Sequence, residues 1–194
     1  MPLLTPDDAV PGCPRRIAVA GTSGSGKTTL AAAMSRLLDI PHVEIDALFH
    51  GPGWIPRPTF EDDVRRFVAQ PVWVTEWQYG QVQPLLASRA QLVVWLDLSR
   101  RLVMWQVVGR TVRRRLRRRE LWNGNLEHPL WTVFTDREHI VRLTWSTHRQ
   151  TGRQVAALIE QRPDLDVVRL RNRRAVRRWL AGPLREAANR CSGE

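Results

Sequence analysis

The sequence predicts an α/β fold: a five-stranded, mostly parallel sheet between two helical layers, a three-layer αβα sandwich. Two observations carry this. Five short apolar runs of β type alternate with stretches of helical periodicity, the pattern that builds a parallel sheet with helices on both faces. The fourth run, Leu92-Val93-Val94-Trp95-Leu96, is continuously apolar, as expected of a strand buried on both sides. At 194 residues the chain suits one such domain with a substantial core.

The first strand is expected over residues 15–20, where small apolar residues suit a crowded central position. It runs into Gly21-Thr22-Ser23-Gly24-Ser25-Gly26-Lys27-Thr28, which fits G-x-x-x-x-G-K-[ST]. In this loop backbone N–H groups cradle phosphates, the lysine reaches the β and γ phosphates, and the hydroxyl is placed for Mg²⁺. A helix over 28–38, with Leu30, Met34, Leu37 and Leu38 on one face, sets a positive helix N-terminus against the phosphates. The chain has 30 basic side chains, and Lys27 is the one lysine among them. Arginine's planar fork does not replace a compact ammonium that must curl into a small loop. The competing reading is a glycine turn opening an ordinary helix; strand, helix and lone lysine together oppose it. The nucleotide-binding set is therefore Gly21, Thr22, Ser23, Gly24, Ser25, Gly26, Lys27, Thr28 and Thr29, with Thr28 as a metal ligand.

A second strand over 42–46 is expected to end in Asp46, followed by a turn at 51–54. Thr59 is expected to cap a helix reaching Ala69, with Glu61, Asp62 and Asp63 favourable in its first turn. The third strand, 72–76, ends in Glu76. The fourth, 91–97, ends in Asp97, and a fifth covers 166–170. Ligands of parallel sheets gather at the carboxyl ends of strands, so these three acids fall on the phosphate-loop edge. Acids there hold Mg²⁺ through water, orient an attacking group or take its proton. For Asp97 two readings stand level, capping of the next helix and association with Mg²⁺. Asp46 and Glu76 open no obvious helix and are catalytic candidates.

Seven of the ten residues from 110 to 119 are arginine. On a helix Arg110, Arg114 and Arg118 share a face with Arg117, while Trp105, Val108, Val112 and Leu116 recur as an apolar stripe. A solvated face, a nucleic-acid patch and a lid closing over a nucleotide all fit this pattern. The lid reading, about residues 109–128 and ending near Asn123-Gly124, makes Arg110, Arg114 and Arg118 catalytic cations. A long helix is expected over 131–159, broken near Gly152. His128, His139 and His148 are too scattered for a metal site.

The net charge of +11 calls for polyanionic company without saying which. Residues 1–14 carry four prolines and two aspartates and read as a flexible leader, not a signal peptide. Residues 15–186 form the single domain and 187–194 a tail. Cys13 and Cys191 have no metal-ligand spacing, and a disulfide requires the termini to meet; a reducing cytoplasm is the simpler expectation. No run approaches the roughly 20 apolar residues of a membrane span. Most of the nine tryptophans lie in apolar runs and read as core.

The chain resembles adenylate-kinase-like P-loop NTPases of the DNA-topology-modulation (FlaR-related) group, also labelled AAA-family ATPases. The resemblance covers roughly residues 15–182. It rests on the phosphate loop, Asp46-Ala47-Leu48-Phe49-His50, Gly51-Pro52-Gly53-Trp54, the strand over 92–98, and Arg169-Leu170-Arg171. Most specific is the basic helix running into Glu120-Leu121-Trp122-Asn123-Gly124-Asn125. It implies an adenylate-kinase-like sheet with an Arg-rich lid, and ATP with Mg²⁺ as phosphoryl donor. By fold analogy, adenine contacts come from the loop near Arg171-Asn172-Arg173. Many relatives carry Asp-Gly-Asn-Tyr after the third strand where this chain has Glu76-Trp77-Gln78-Tyr79, so a close-approach glycine has become a bulky ring. The leading expectation is phosphoryl transfer from ATP to a small nucleoside- or nucleotide-like acceptor. The alternative is a nucleic-acid-associated ATPase or regulator that uses ATP as a switch and holds phosphodiester through Arg169, Arg171, Arg173, Arg174, Arg177, Arg178 and the basic helix.

Overall fold

The computed structural model describes the backbone of residues 3–116 and 140–192, and the side chains of 3–109 and 150–191. Five strands, β1 (Arg16–Gly21), β2 (His42–Val43), β3 (Trp73–Glu76), β4 (Leu92–Leu96) and β5 (Asp166–Leu170), form one sheet in the order β2-β3-β1-β4-β5. Every pairing is parallel. Helices α1 (Lys27–Leu38), α2 (Ile45–Phe49), α3 (Phe60–Val68), α4 (Gln83–Arg89), α5 (Arg100–Leu116), α6 (Ile140–Gln161), α7 (Arg173–Ala181) and α8 (Pro183–Ser192), with a 3₁₀ turn at Pro52–Trp54, complete the described elements. The expected α/β sandwich is thus what forms.

Alternation along β1 divides the interior into two cores. Ile17 and Val19 face one core, with Leu30 and Met34 of α1, Val103 and Val107 of α5, and Trp179 of α7. Ala18 and Ala20 face the other, which holds Trp73, Trp77 and Trp95 beside Phe60, Val64, Leu86 and Val155. The two alanines leave the volume that three indole rings, on the flanking strands and just after β3, fill. Small residues on the central strand and large ones beside it keep that layer dense, and truncating one such ring costs about 3–5 kcal/mol. Trp73, Trp77, Trp95 and Trp179 are buried as expected, whereas Trp105 is 72% exposed.

Several expectations are corrected. The second strand stops at Val43, and Asp46 lies in the first turn of α2. Ile45, Leu48 and Phe49 stand at helical spacing within a run that also alternates, and packing against α3 selects the helix. Thr59 precedes α3, but its hydroxyl bonds to Asp63 Oδ2 (3.0 Å) and caps no backbone N–H. The buried stripe of α5 is Val103 and Val107, while Trp105 and Val108 face outward. Two apolar rows run along this helix, and only the row of small β-branched residues fits against the glycine loop. Val112 and Leu116 carry side chains outside the described residues. Helix α6 continues unbroken through Gly152.

The segment expected as a flexible leader is instead docked. Leu4 N–H donates to Val167 O (2.8 Å) and Arg169 N–H donates to Leu4 O (2.9 Å), adding a parallel bridge to the edge of β5. Val10 is buried, its carbonyl accepts from Arg190 Nη2 (2.7 Å), and Asp7 pairs with Arg178 (2.7 Å). Ala187 and Ala188 sit in the core within α8, so the expected tail up to residue 192 is helix. The termini therefore do meet: Cys13 and Cys191 form a disulfide with 5.5 Å between their Cα atoms, correcting the expectation of free thiols. The bond joins residues 178 apart in sequence. Reduction, or Cys13→Ser, is expected to remove on the order of 2–4 kcal/mol and lower Tm by about 5 °C or more. Scanning calorimetry with and without reductant checks this; superimposable curves would show that the bond contributes nothing.

Candidate functional site

The buried polar or charged residues described are Thr22, Ser25, Lys27, Thr75 and Glu76, and all five lie toward the carboxyl edge of the sheet. The β1–α1 loop builds the centre. Gly24 sits at φ +79°, and a Cβ there would stand 2.1 Å from Val107 Cγ2, so backbone conformation and the packing of α5 both demand glycine. Gly26, at φ +99°, turns the chain directly into α1. Lys27 opens that helix, is 8% exposed, and its Nζ lies 3.4 Å from Thr22 O. The ammonium is folded back over its own loop, as the sequence predicts. Ser25 Oγ is buried with no hydrogen-bond partner, a donor left for a ligand in the cradle.

Glu76 lies beside the loop at the end of β3. It accepts from Ile45 N–H (3.2 Å) and pairs with His42 Nε2 (3.1 Å), and the neighbouring Thr28 hydroxyl also favours its charged form. Burial pushes its pKa up, but these bonds, His42 first, outweigh that and hold it below the ordinary glutamate value. Glu76 is thus an anion fixed next to Thr28.

Asp46 is the second acid. Its Oδ1 accepts from the Tyr79 hydroxyl (2.6 Å) and from the Gln78 amide. Its carboxyl is largely withdrawn from water, which raises its pKa; the Tyr79 bond and the Lys27 charge pull the other way without cancelling the effect. Burial and the neighbouring Asp46 push the Tyr79 phenol well above its usual range, so it stays a donor. His50 Nε2 lies 3.2 Å from the same hydroxyl, and burial lowers its pKa despite Asp46, keeping it neutral at neutral pH. Phe49 stacks on Tyr79 at 4.1 Å and meets Phe60 edge-on. Tyr79 holds φ +63°, a conformation costly for an aromatic residue and common at functional sites. The Trp77 ring is in the core, and its Nε1 donates to Gln83 O (3.0 Å).

Sequence reasoning missed His42, His50 and Gln78, which no local spacing links to Asp46 or Glu76. For Gln78 the signal available was its place just after β3, at the edge where ligands gather; His42 opens β2 and His50 follows α2, and neither place carries such a signal.

The capping expected of Asp97 is corrected. Its Oδ2 accepts from Arg169 Nε (2.9 Å) and Nη2 (2.6 Å), Arg171 Nε stands 3.9 Å away, and Ser99 Oγ, not Asp97, faces the first backbone N–H groups of α5. Asp97 therefore spends Oδ2 on Arg169 and caps no helix. Arg169 also lies 4.6 Å over the Trp95 ring. Arg110 and Arg114 lie on the helical backbone of α5, with side chains outside the described residues; Arg118 and most of the expected lid lie outside them altogether. A separate polar cavity of about 310 Å³ at the amino edge of the sheet is lined by Arg16, Arg89, Arg162 and Asp164. Two of its guanidinium groups are already held, Arg16 by Arg89 O and Arg162 by Ala87 O and Asp164.

The parallel sheet and the phosphate loop after β1 together define a P-loop α/β fold. Among solved structures the chain resembles shikimate kinase from Acinetobacter baumannii in complex with shikimate, at 15% identity and TM-score 0.50 over 91% of this chain and 89% of that one. A gluconokinase from Sinorhizobium meliloti 1021 aligns at 20% identity and TM-score 0.49, covering 94% of this chain and 99% of its own. No family model matches, and no curated protein matches. The likeness is one of fold and names no acceptor. Among the described residues no helix is long and apolar enough to cross a membrane.

Proposed function

We propose that the chain is an ATP-dependent kinase that transfers the γ-phosphoryl group to a hydroxyl of a small acceptor. The observation that carries this is the placement of Asp46, with Tyr79, Gln78 and His50 around it, within electrostatic reach of Lys27 in the phosphate loop. The loop amides with Thr22, Ser25 and Lys27 hold the triphosphate. Asp46 orients the acceptor hydroxyl and takes its proton as the oxygen attacks phosphorus and the ADP oxygen leaves.

Thr28 and Glu76 form an all-oxygen pair suited to a hard cation, and among the described residues no group of three acids, histidines or cysteines could hold a metal alone. That fits Mg²⁺, which keeps several waters and takes other ligands from phosphates. When bound, it neutralises charge on the β and γ oxygens. Arg110, Arg114 and Arg118 are proposed to bring guanidinium groups to the transferring group from the lid. The finer grouping with DNA-topology-modulation proteins rests on the Glu120-Leu121-Trp122-Asn123-Gly124-Asn125 run.

The kinase reading is favoured over a nucleic-acid switch because the arginines that reading needs are partly spent within the fold. Arg169 holds Asp97, and Arg178 holds Asp7. Purified protein with Mg-ATP, tested against nucleosides, nucleotides, sugars and hydroxy acids including shikimate, is expected to give ADP and one phosphorylated product class. No transfer to any class, with duplex DNA binding that falls steeply with salt and stimulates hydrolysis, would establish the switch instead.

A further inference from the structure

We infer that Gln106 is a positioning residue that presets the phosphate loop and ties it to the helix leading into the arginine segment. This rests on the kinase reading above. With its amide oriented by the partners it faces, Gln106 donates to Gly24 O (2.9 Å), and its oxygen accepts from Arg173 Nη2 and Nε (3.0 Å each). One side chain thus joins three segments: the phosphate loop, α5, and the start of α7 just after β5.

Its leverage comes from which peptide it grips. The plane between Gly24 and Ser25 is held on its carbonyl side by Gln106. On its other side Ser25 N–H donates to Thr22 O (3.0 Å), the same oxygen that lies 3.4 Å from Lys27 Nζ. A loop whose amides must point at phosphates loses affinity if this plane is free to turn. One residue further along α5, Val107 fills the space above Gly24 that any Cβ would need. Gln106 and Val107 therefore fix Gly24 by a hydrogen bond and by shape at once. Arg173, at the first position of α7, aims the amide so that its nitrogen and not its oxygen meets the carbonyl. Because Arg110 and Arg114 lie on the same helix one and two turns further on, a phosphate loop in its binding conformation and the base of the arginine segment share one anchor.

The test is Mg-ATP affinity by calorimetry, with kcat and KM for ATP and Tm, on wild type, Gln106→Ala, Gln106→Glu, Arg173→Ala and the Gln106→Ala/Arg173→Ala pair. Gln106→Ala is expected to weaken Mg-ATP roughly tenfold, the loss of one well-placed hydrogen bond. Gln106→Glu should be worse, since a carboxylate oxygen then opposes Gly24 O while still satisfying Arg173. The paired variant should be no weaker than Gln106→Ala alone, because the arginine acts through the amide. The loss should fall on KM for ATP more than on kcat. Wild-type protein without Mg-ATP affinity would remove the kinase reading itself. Wild-type affinity retained in both Gln106 variants would overturn this proposal and leave the kinase reading standing. Equal losses in the alanine and glutamate variants that track a fall in Tm would overturn it too, as mere loss of packing. Should Gln106→Glu not fold, Arg173→Ala decides: affinity equal to wild type refutes the coupling.

Discussion

Lys27→Ala is expected to abolish the proposed ATP turnover, and Lys27→Arg to fail as well although it keeps the charge. The expected loss is about 10²–10³-fold or more, the scale for removing one preorganised charge at a phosphoryl oxygen. Geometry makes the arginine variant informative. The lysine is 8% exposed and folded back to within 3.4 Å of Thr22 O in its own loop. A guanidinium is broader and planar, and in that space it displaces either the loop backbone or the phosphates. Neither change should unfold the protein, because Lys27 begins α1 with its charge serving the loop, while Leu30, Ala31 and Met34 anchor the helix. ADP release and Mg-ATP calorimetry on the two variants check this, with Tm as the control for folding. An arginine variant turning over at the wild-type rate would make the lone lysine an accident of composition.

The sheet, its parallel sense and the phosphate loop were legible because each rests on short-range pattern. A continuous apolar run marks β4, and glycines at fixed offsets mark the loop. The acids were legible only as positions. Glu76 sits where strand-end reasoning puts it, but Asp46 reaches the same edge from a helical turn, because Ile45, Leu48 and Phe49 pack on α3. Asp97 has the same sequence signature and a different fate, since Arg169, paired with Trp95 across the sheet, reaches its carboxylate, and pairing between β4 and β5 is invisible in local sequence. The docking of residues 3–14 was hidden for a related reason. Proline-rich composition reads as loose chain, yet Leu4, Val10 and Cys13 each find partners more than 160 residues away. In α5 periodicity was present twice, and only contact with Gly24 decides that Val103 and Val107 turn inward.

Asp46→Asn is expected to cut turnover about 10²–10⁴-fold, the usual contribution of a positioned base, while leaving Tm at neutral pH unchanged or higher. The sign follows from burial. Desolvation raises the Asp46 pKa in the folded protein, against the opposing bond from Tyr79 and the charge of Lys27; Glu76 raises it and His50 lowers it. Between the unfolded and the raised folded value the native state binds more protons. Stability is then greatest below the ordinary carboxylate range and is lost as pH rises through the folded pKa. At neutral pH the wild type carries the whole penalty, and the amide, which still accepts from Tyr79, does not. The gain should vanish in acid, where wild-type Asp46 is protonated. Catalysis shows the mirror image: a base must be ionised, so the acid limb of kcat/KM should lie above the value of an ordinary aspartate. Tm profiles from pH 4 to 8 for both proteins, with the wild-type rate profile, test the two halves separately. A variant that keeps wild-type turnover removes Asp46 as the base. One that loses turnover and also melts lower at every pH makes the carboxylate a structural anchor for Tyr79 and Gln78, and the site would then lack its proton acceptor.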